Sequence, residues 1–263
     1  MQVRVGCEFL YEIAFATPSV LQIQPRPDAE HRVIRERWEL TPEAPVHEYS
    51  DLYGNSCRRL TMPAGNWRLF YDAVVEVADQ VDDVNWSARQ VPVEELPDET
   101  LIYTMPSRYC LSDALADTAW DLFGTVQPGW PRVQTICDWV HNSLQFAYGA
   151  SNPLTTSFDV YQARRGVCRD FAQLAVSFCR ALNIPARYVF GYLPDINVPF
   201  TDAAMDFCAW FEAYIGDRWY TFDPRNNTPR VGRVLIGRGR DALDVAMVTS
   251  YGAPMLRQMT VWA

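Results

Sequence analysis

GVCRDFAQLAVSFCRALNIPARYVFGYLPD, residues 166–195, contains a change of period that decides the fold. From Cys168 the apolar residues Phe171, Leu174, Ala175, Phe178 and Leu182 recur at helical spacing, and Asn183-Ile184-Pro185 stops the pattern. Ala186 to Leu193 is then almost wholly apolar, which predicts a central strand. The downstream run DFCAWFEAYIGDRWYTFDP, residues 206–224, reads as a hairpin: Phe207 to Ile215, a Gly216-Asp217 turn, then Arg218 to Asp223. A two-residue loop pairs Ile215 with Arg218. Cys208, Trp210, Glu212, Thr221 and Asp223 then share one face, and Phe207, Ala209, Phe211, Tyr220 and Phe222 share the other. In this register Asp223 lies diagonal to position 208.

Working outward, Ser112 to Phe123 reads as a helix with a Ser N-cap, and Pro131 to Phe146 as another with Pro in its first turn. Residues 1–80 carry strand-like runs between turn signals, among them Arg32 to Leu40, Val46 to Tyr53 and Trp67 to Val77. The tail, Val231 to Trp262, adds two or three more strand-like runs. The expected class is α+β. A β-sandwich-like N-terminal domain (1–90) and a connector (91–111) precede a core of helices packed on an antiparallel sheet, with the C-terminal strands (112–263).

The 263 residues are 49% hydrophobic and 13% aromatic, enough for a sizeable core. All 23 basic residues are Arg, set against 32 acidic residues for a net charge of −9. Such a chain lacks the basic stripes that nucleic acid or an anionic membrane requires, so neither is an expected partner. No apolar run reaches the length of a membrane span and the N-terminus lacks the zones of a secretory signal. Seven scattered cysteines then suggest reduced thiols and a cytoplasmic location. Oligomeric state is not legible.

Cys168 begins a predicted helix directly after a Gly-Val pair, where the helix dipole and unpaired N–H groups favour a thiolate. Together with the hairpin, this segment resembles the core of bacterial transglutaminase-like proteins, whose superfamily includes transglutaminases, peptide N-glycanases and cysteine proteases. The resemblance covers about Pro131 to Asn226, and the preceding strands resemble the β-rich N-terminal domain of such bacterial proteins. It implies a papain-like thiol-enzyme fold with Cys168 as nucleophile and Asp223 as the third member of a triad. Position 208 departs from the family pattern, carrying Cys where the family has its catalytic His. The histidines of this chain, His31, His47 and His141, lie elsewhere.

The resemblance further suggests Gln162, six residues before Cys168, as an oxyanion donor, with the Trp139 indole as the alternative. Asp170 and Arg169 flank the nucleophile, and Trp210 shares the face of Cys208. Three functions remain open. One is acyl transfer through Cys168 from a peptide or glutamine amide, as a protease, amidase or transamidase. The second is a weakened pseudoenzyme that binds a peptide or protein partner. The third is a Cys168/Cys208 redox pair or soft-metal site that includes Asp223. The first two readings call for no cofactor and no resident metal.

Overall fold

The structure is a computed structural model describing residues 1–27, 31–199, 202 and 204–263. Its first six strands are β1 (Gln2–Ile13), β2 (Thr17–Leu21), β3 (His31–Thr41), β4 (His47–Ser50), β5 (Ser56–Met62) and β6 (Gly65–Val77). In β1, Val3, Val5, Cys7, Phe9, Tyr11 and Ile13 are buried at alternate positions, as are Trp67, Leu69, Tyr71, Ala73, Val75 and Val77 in β6. This period of two makes one face of each strand core, and each large apolar side chain buried there contributes about 1.5–3 kcal/mol.

Two 3₁₀ turns follow, Val93–Glu95 and Asp98–Thr104, and then α1 (Ala116–Phe123), α2 (Trp130–Ser143), β7 (Gln145–Phe146), α3 (Ser157–Ala163), β8 (Arg165–Gly166) and α4 (Cys168–Ala181). The chain ends with β9 (Ala186–Tyr192), β10 (Cys208–Ile215), β11 (Arg218–Phe222), β12 (Val234–Gly239), β13 (Val248–Ser250) and β14 (Met255–Trp262).

Three four-stranded antiparallel sheets result, in the orders β14-β1-β6-β3, β13-β2-β5-β4 and β11-β10-β9-β12; β7 and β8 pair separately and in parallel. The hairpin has the expected register, with Ile215 opposite Arg218 and Phe211 opposite Phe222. Gly216 turns it at φ 69°, a left-handed conformation that glycine adopts without steric cost. The strand from Ala186 is central, paired with β10 on one side and β12 on the other.

Several features differ from the sequence reading. Ser112 does not cap α1: residues 112–115 form turns and the helix begins at Ala116. There the Ser157 hydroxyl takes the Leu111 N–H at 3.0 Å and holds the approach to the helix away from helical geometry. The second helix ends at Ser143, after which 145–146 pair as a strand. α3 was not anticipated; a Thr156–Asp159 capping box starts it and Arg164 in the left-handed conformation ends it.

The strands assigned to the C-terminal core also lie elsewhere: β14 pairs with β1 and β13 with β2, so they complete the sandwich built by residues 1–80. The reason is edge pairing, because β1 and β2 would otherwise present open edges with unpaired backbone groups. The segment expected to be a connector is itself packed. Thr100 and Tyr103 are buried, and the fully buried Arg180 of α4 reaches Met105 O at 3.1 Å and Ser107 Oγ at 3.0 Å.

The cores interlock through β10. Phe207 and Ala209 join the sandwich core together with Tyr188, Phe190 and Tyr192, while Phe211, Ala213 and Ile215 join the helical core around Phe171, Leu174 and Phe178. Trp210, on the opposite face, packs with Val189, Leu235 and half-buried Cys208. The face that Cys208 and Trp210 share is therefore covered as well. Among the described residues no helix is long and apolar enough to cross a membrane.

Candidate active site

Cys168 is the first residue of α4. Asp170, fully buried, starts the helix by accepting the Val167 N–H at 2.8 Å on Oδ2, and its Oδ1 takes the Arg169 guanidinium at 3.0 Å. A Cβ on Gly166 would meet Asp170 Oδ2 at 2.8 Å, so glycine is what admits this cap. Asp170 thus positions the helix start, while Arg169 is held by Asp170, by Ser151 Oγ and by Asn152 O.

Cys208 stands beside Cys168, and both thiols are free. The neighbouring Cys208 thiol draws the Cys168 thiol below its ordinary range, with the Ala209 N–H assisting, while burial and the negative charges of Asp206 and Asp223 oppose the shift. In the geometry Cys168 Sγ donates to Phe207 O at 3.9 Å and Cys208 Sγ to Ala209 O at 3.7 Å. The proximity of Cys168, with burial second, pushes Cys208 well up. Of the seven cysteines only Cys168 is shifted toward the thiolate. Burial pushes Cys7 and Cys110 up to about 12 and also raises Cys57, Cys137 and Cys179.

The two thiols open onto two cavities. One, of about 490 Å³, has an apolar floor that includes Phe190, Phe207, Val245 and Met247. The other, of about 210 Å³, has Phe146, Tyr148, Asp195, Arg225 and Arg230 in its walls. Asp206 lines both.

Asp223 is on the expected strand end but is already occupied. Its Oδ1 accepts the backbone N–H groups of Arg225 at 3.1 Å and Asn226 at 2.9 Å; its Oδ2 accepts Asn226 Nδ2 at 2.8 Å and Arg233 Nη2 at 3.0 Å. Arg233 also binds Asp82 through Nε at 2.9 Å and lies over the Trp210 ring at 4.8 Å. Four donors fill both oxygens, and a base at position 208 would have to displace one of them. The soft-metal arrangement of two thiols with Asp223 fails for the same reason. Among the described residues no group of three or more His, Cys, Asp or Glu side chains is placed to hold a metal ion.

The oxyanion candidates are not brought to the cysteine. Gln162 is exposed on α3 and lines neither cavity, because the left-handed Arg164 turns the chain between it and Cys168. Trp139 packs between Phe123 at 6.1 Å and Phe178 at 5.5 Å, under Arg164 at 4.8 Å. His141 is tied by Nδ1 to the carbonyls of Pro224 at 3.2 Å and Arg225 at 3.1 Å. Sequence reasoning missed Asp206 and Arg233. Asp206 stands inside the quoted hairpin segment and could have been noticed there; nothing in the sequence points to Arg233.

A chain-length match accompanies this geometry. A crystal structure from Cytophaga hutchinsonii, provisionally designated a cysteine protease, is 32% identical, covers 100% of this chain and 91% of its own, and superimposes with a TM-score of 0.89. The sequence model of the transglutaminase-like superfamily matches residues 117–224, a span that contains Cys168, Cys208 and Asp223. The chain belongs to the transglutaminase-like superfamily. This transglutaminase-like protein also resembles uncharacterised mycobacterial proteins. One from Mycobacterium leprae is 27% identical over 260 residues, 94% of this chain and 90% of the relative. One from Mycobacterium tuberculosis H37Rv is 26% identical over 246 residues, 85% and 77% of the respective lengths.

Proposed function

We propose that this transglutaminase-like protein transfers an acyl group from a peptide or glutamine side-chain amide to Cys168, and then to water or an amine. The observation that supports this most is the placement of Cys168 at a helix start that opens onto two cavities, and its thiol is the one of the seven drawn toward the thiolate. The thiolate adds to the amide carbonyl and the carbon–nitrogen bond breaks. The resulting thioester then passes its acyl group to the acceptor. Unpaired N–H groups of the first turn of α4 offer donors for the developing oxyanion. The apolar cavity suits a side chain of the acyl donor, and a peptide or protein is the substrate class; a reduced, cytoplasmic setting would keep both thiols available.

A second reading is favoured by one observation: position 208 carries a thiol and Asp223 has no oxygen to spare for an imidazole. On that reading the cleft binds a peptide without turnover. Brief iodoacetamide treatment at pH 6 followed by mass spectrometry should modify Cys168 ahead of the other six cysteines. Amide hydrolysis and hydroxamate formation with hydroxylamine should be lost in Cys168→Ala. Selective labelling without any turnover would favour the binding reading, and equal labelling of all seven cysteines would refute both the activated thiol and the acyl transfer built on it.

A further inference from the structure

Acyl transfer at Cys168, on which this inference rests, needs a group that delivers a proton to the departing nitrogen, and no imidazole stands at the site. One side chain is placed for the task. Asp206, two residues before Cys208, lines both cavities that the two thiols line. The Phe207 N–H, donating at 2.7 Å to Oδ1, fixes the carboxyl. Among the described residues it has no other hydrogen-bond partner, which leaves Oδ2 to the cavities.

The other charged groups around these cavities are engaged. Asp195 pairs with Arg230 at 3.1 Å, and Arg169 pairs with Asp170 at 3.0 Å. Arg225 donates to Asn226 at 2.8 Å and lies over Phe146. Of the tyrosines, Tyr109 donates its hydroxyl to Pro153 O at 2.7 Å, and burial pushes both Tyr148 and Tyr188 up, out of range for proton exchange near neutrality.

We propose that Asp206 is the general acid and base of the Cys168 site. In acylation the thiolate forms the carbon–sulfur bond, the carbon–nitrogen bond breaks, and the protonated carboxyl gives its proton to the leaving amine. In deacylation the resulting carboxylate takes a proton from the attacking water or amine as the new bond forms and the carbon–sulfur bond breaks. Thiolate and carboxylic acid are both restored, so protons balance over the cycle.

The electrostatics agree with the placement. Burial pushes the Asp206 carboxyl above its ordinary range, while Cys168 is drawn below its own, and the charge of Asp206 acts against a second negative charge at Cys168. The two shifts bring the titrations of carboxyl and thiol toward each other, so the thiolate beside a neutral carboxyl is a larger minority state than two ordinary groups would give. Acylation needs the thiolate and the neutral carboxyl. Activity should therefore fall as pH drops and protonates Cys168, and fall again as pH rises and ionises Asp206.

Asp206→Asn tests this, because the amide keeps an acceptor for the Phe207 N–H but carries neither proton nor charge. The probes are N-acetyl-leucyl p-nitroanilide, whose leaving nitrogen requires a proton, and the matching p-nitrophenyl ester, whose phenolate leaves without one. Anilide turnover should fall roughly 100- to 10,000-fold while the ester acylation burst stays within about threefold. Iodoacetamide labelling of Cys168 should move to lower pH once the neighbouring charge is gone. Loss of anilide and ester activity together, unchanged anilide turnover, or an unmoved labelling profile would overturn the assignment. A parent protein that gives the ester burst but cleaves no anilide would overturn the amide reading itself, a pattern distinct from a loss confined to the variant.

Discussion

The middle of β10 and the approach to it hold carboxylates in opposite circumstances. Near its middle, Glu212 is buried and receives Arg187 Nε at 2.5 Å and Arg238 Nε at 3.0 Å. Burial alone would raise this carboxyl, but the two guanidiniums outweigh it and hold it below its usual range. Just before the start of the strand, Asp206 has, among the described residues, one hydrogen bond and no cation, and burial wins. A charge with full partners locks a strand into a sheet, whereas one left short of partners beside a thiol takes up a proton more readily. The cores divide at the same place: toward Ile215 the strand packs on helices, and toward Phe207 on the sandwich. The candidate site lies at this junction, so the sandwich forms part of its foundation.

The strongest way to break the comparison is to remove the sandwich. Deleting residues 1–80 would strip the cover from Tyr188, Phe190, Tyr192 and Phe207, and would leave β13 and β14 without β2 and β1. The fragment should be insoluble or lack a cooperative thermal transition. A soluble, cooperatively folding fragment would show that the helical half needs no second core.

In the middle of the strand, Glu212→Gln should cost about 3–5 kcal/mol, since two buried guanidiniums lose a shared anionic partner. Because the folded carboxyl is depressed, its contribution is present above the unfolded value near about 4.3 and disappears as pH falls through the folded one. Denaturant midpoints should therefore differ widely between parent and variant at pH 7 and converge on acidification. A constant difference down to pH 2 would contradict the ion-pair origin.

Cys208→His asks whether the occupied Asp223 matters. A positioned, oriented imidazole typically contributes about 100- to 10,000-fold, but here the gain in amide turnover should stay near tenfold or below. The reason is that Asn226 and Arg233 already fill the carboxylate. A gain of several hundredfold would mean that Asp223 is readily released. The smallest effect belongs to Gln162→Ala, which should leave turnover and stability within about 0.5 kcal/mol of the parent, as expected for an exposed side chain away from the site.

Much of this molecule could be read from short-range pattern. The helix from Cys168, the central strand from Ala186 and the hairpin register follow from period and from a two-residue turn, all of which are local properties. Reading failed where a distant partner decides the outcome. Ser112 looks like a cap until Ser157 is seen holding Leu111. Gln162 has a suggestive spacing, but one left-handed residue turns it away.

The sequence by itself determined the alternation of strands and helices, the helix-start position of Cys168 and the thiol at position 208, because each depends on residues within a few positions of one another. Only the tertiary structure decided that Asp223 is spent on Asn226 and Arg233, that Asp206 shares its cavities with the two thiols, and that the last strands close the first sheets. Those outcomes depend on which groups compete for the same carboxylate or the same sheet edge, whether close in sequence like Asp223 and Arg233 or at opposite ends of the chain like β1 and β14, and a one-dimensional pattern does not contain that competition.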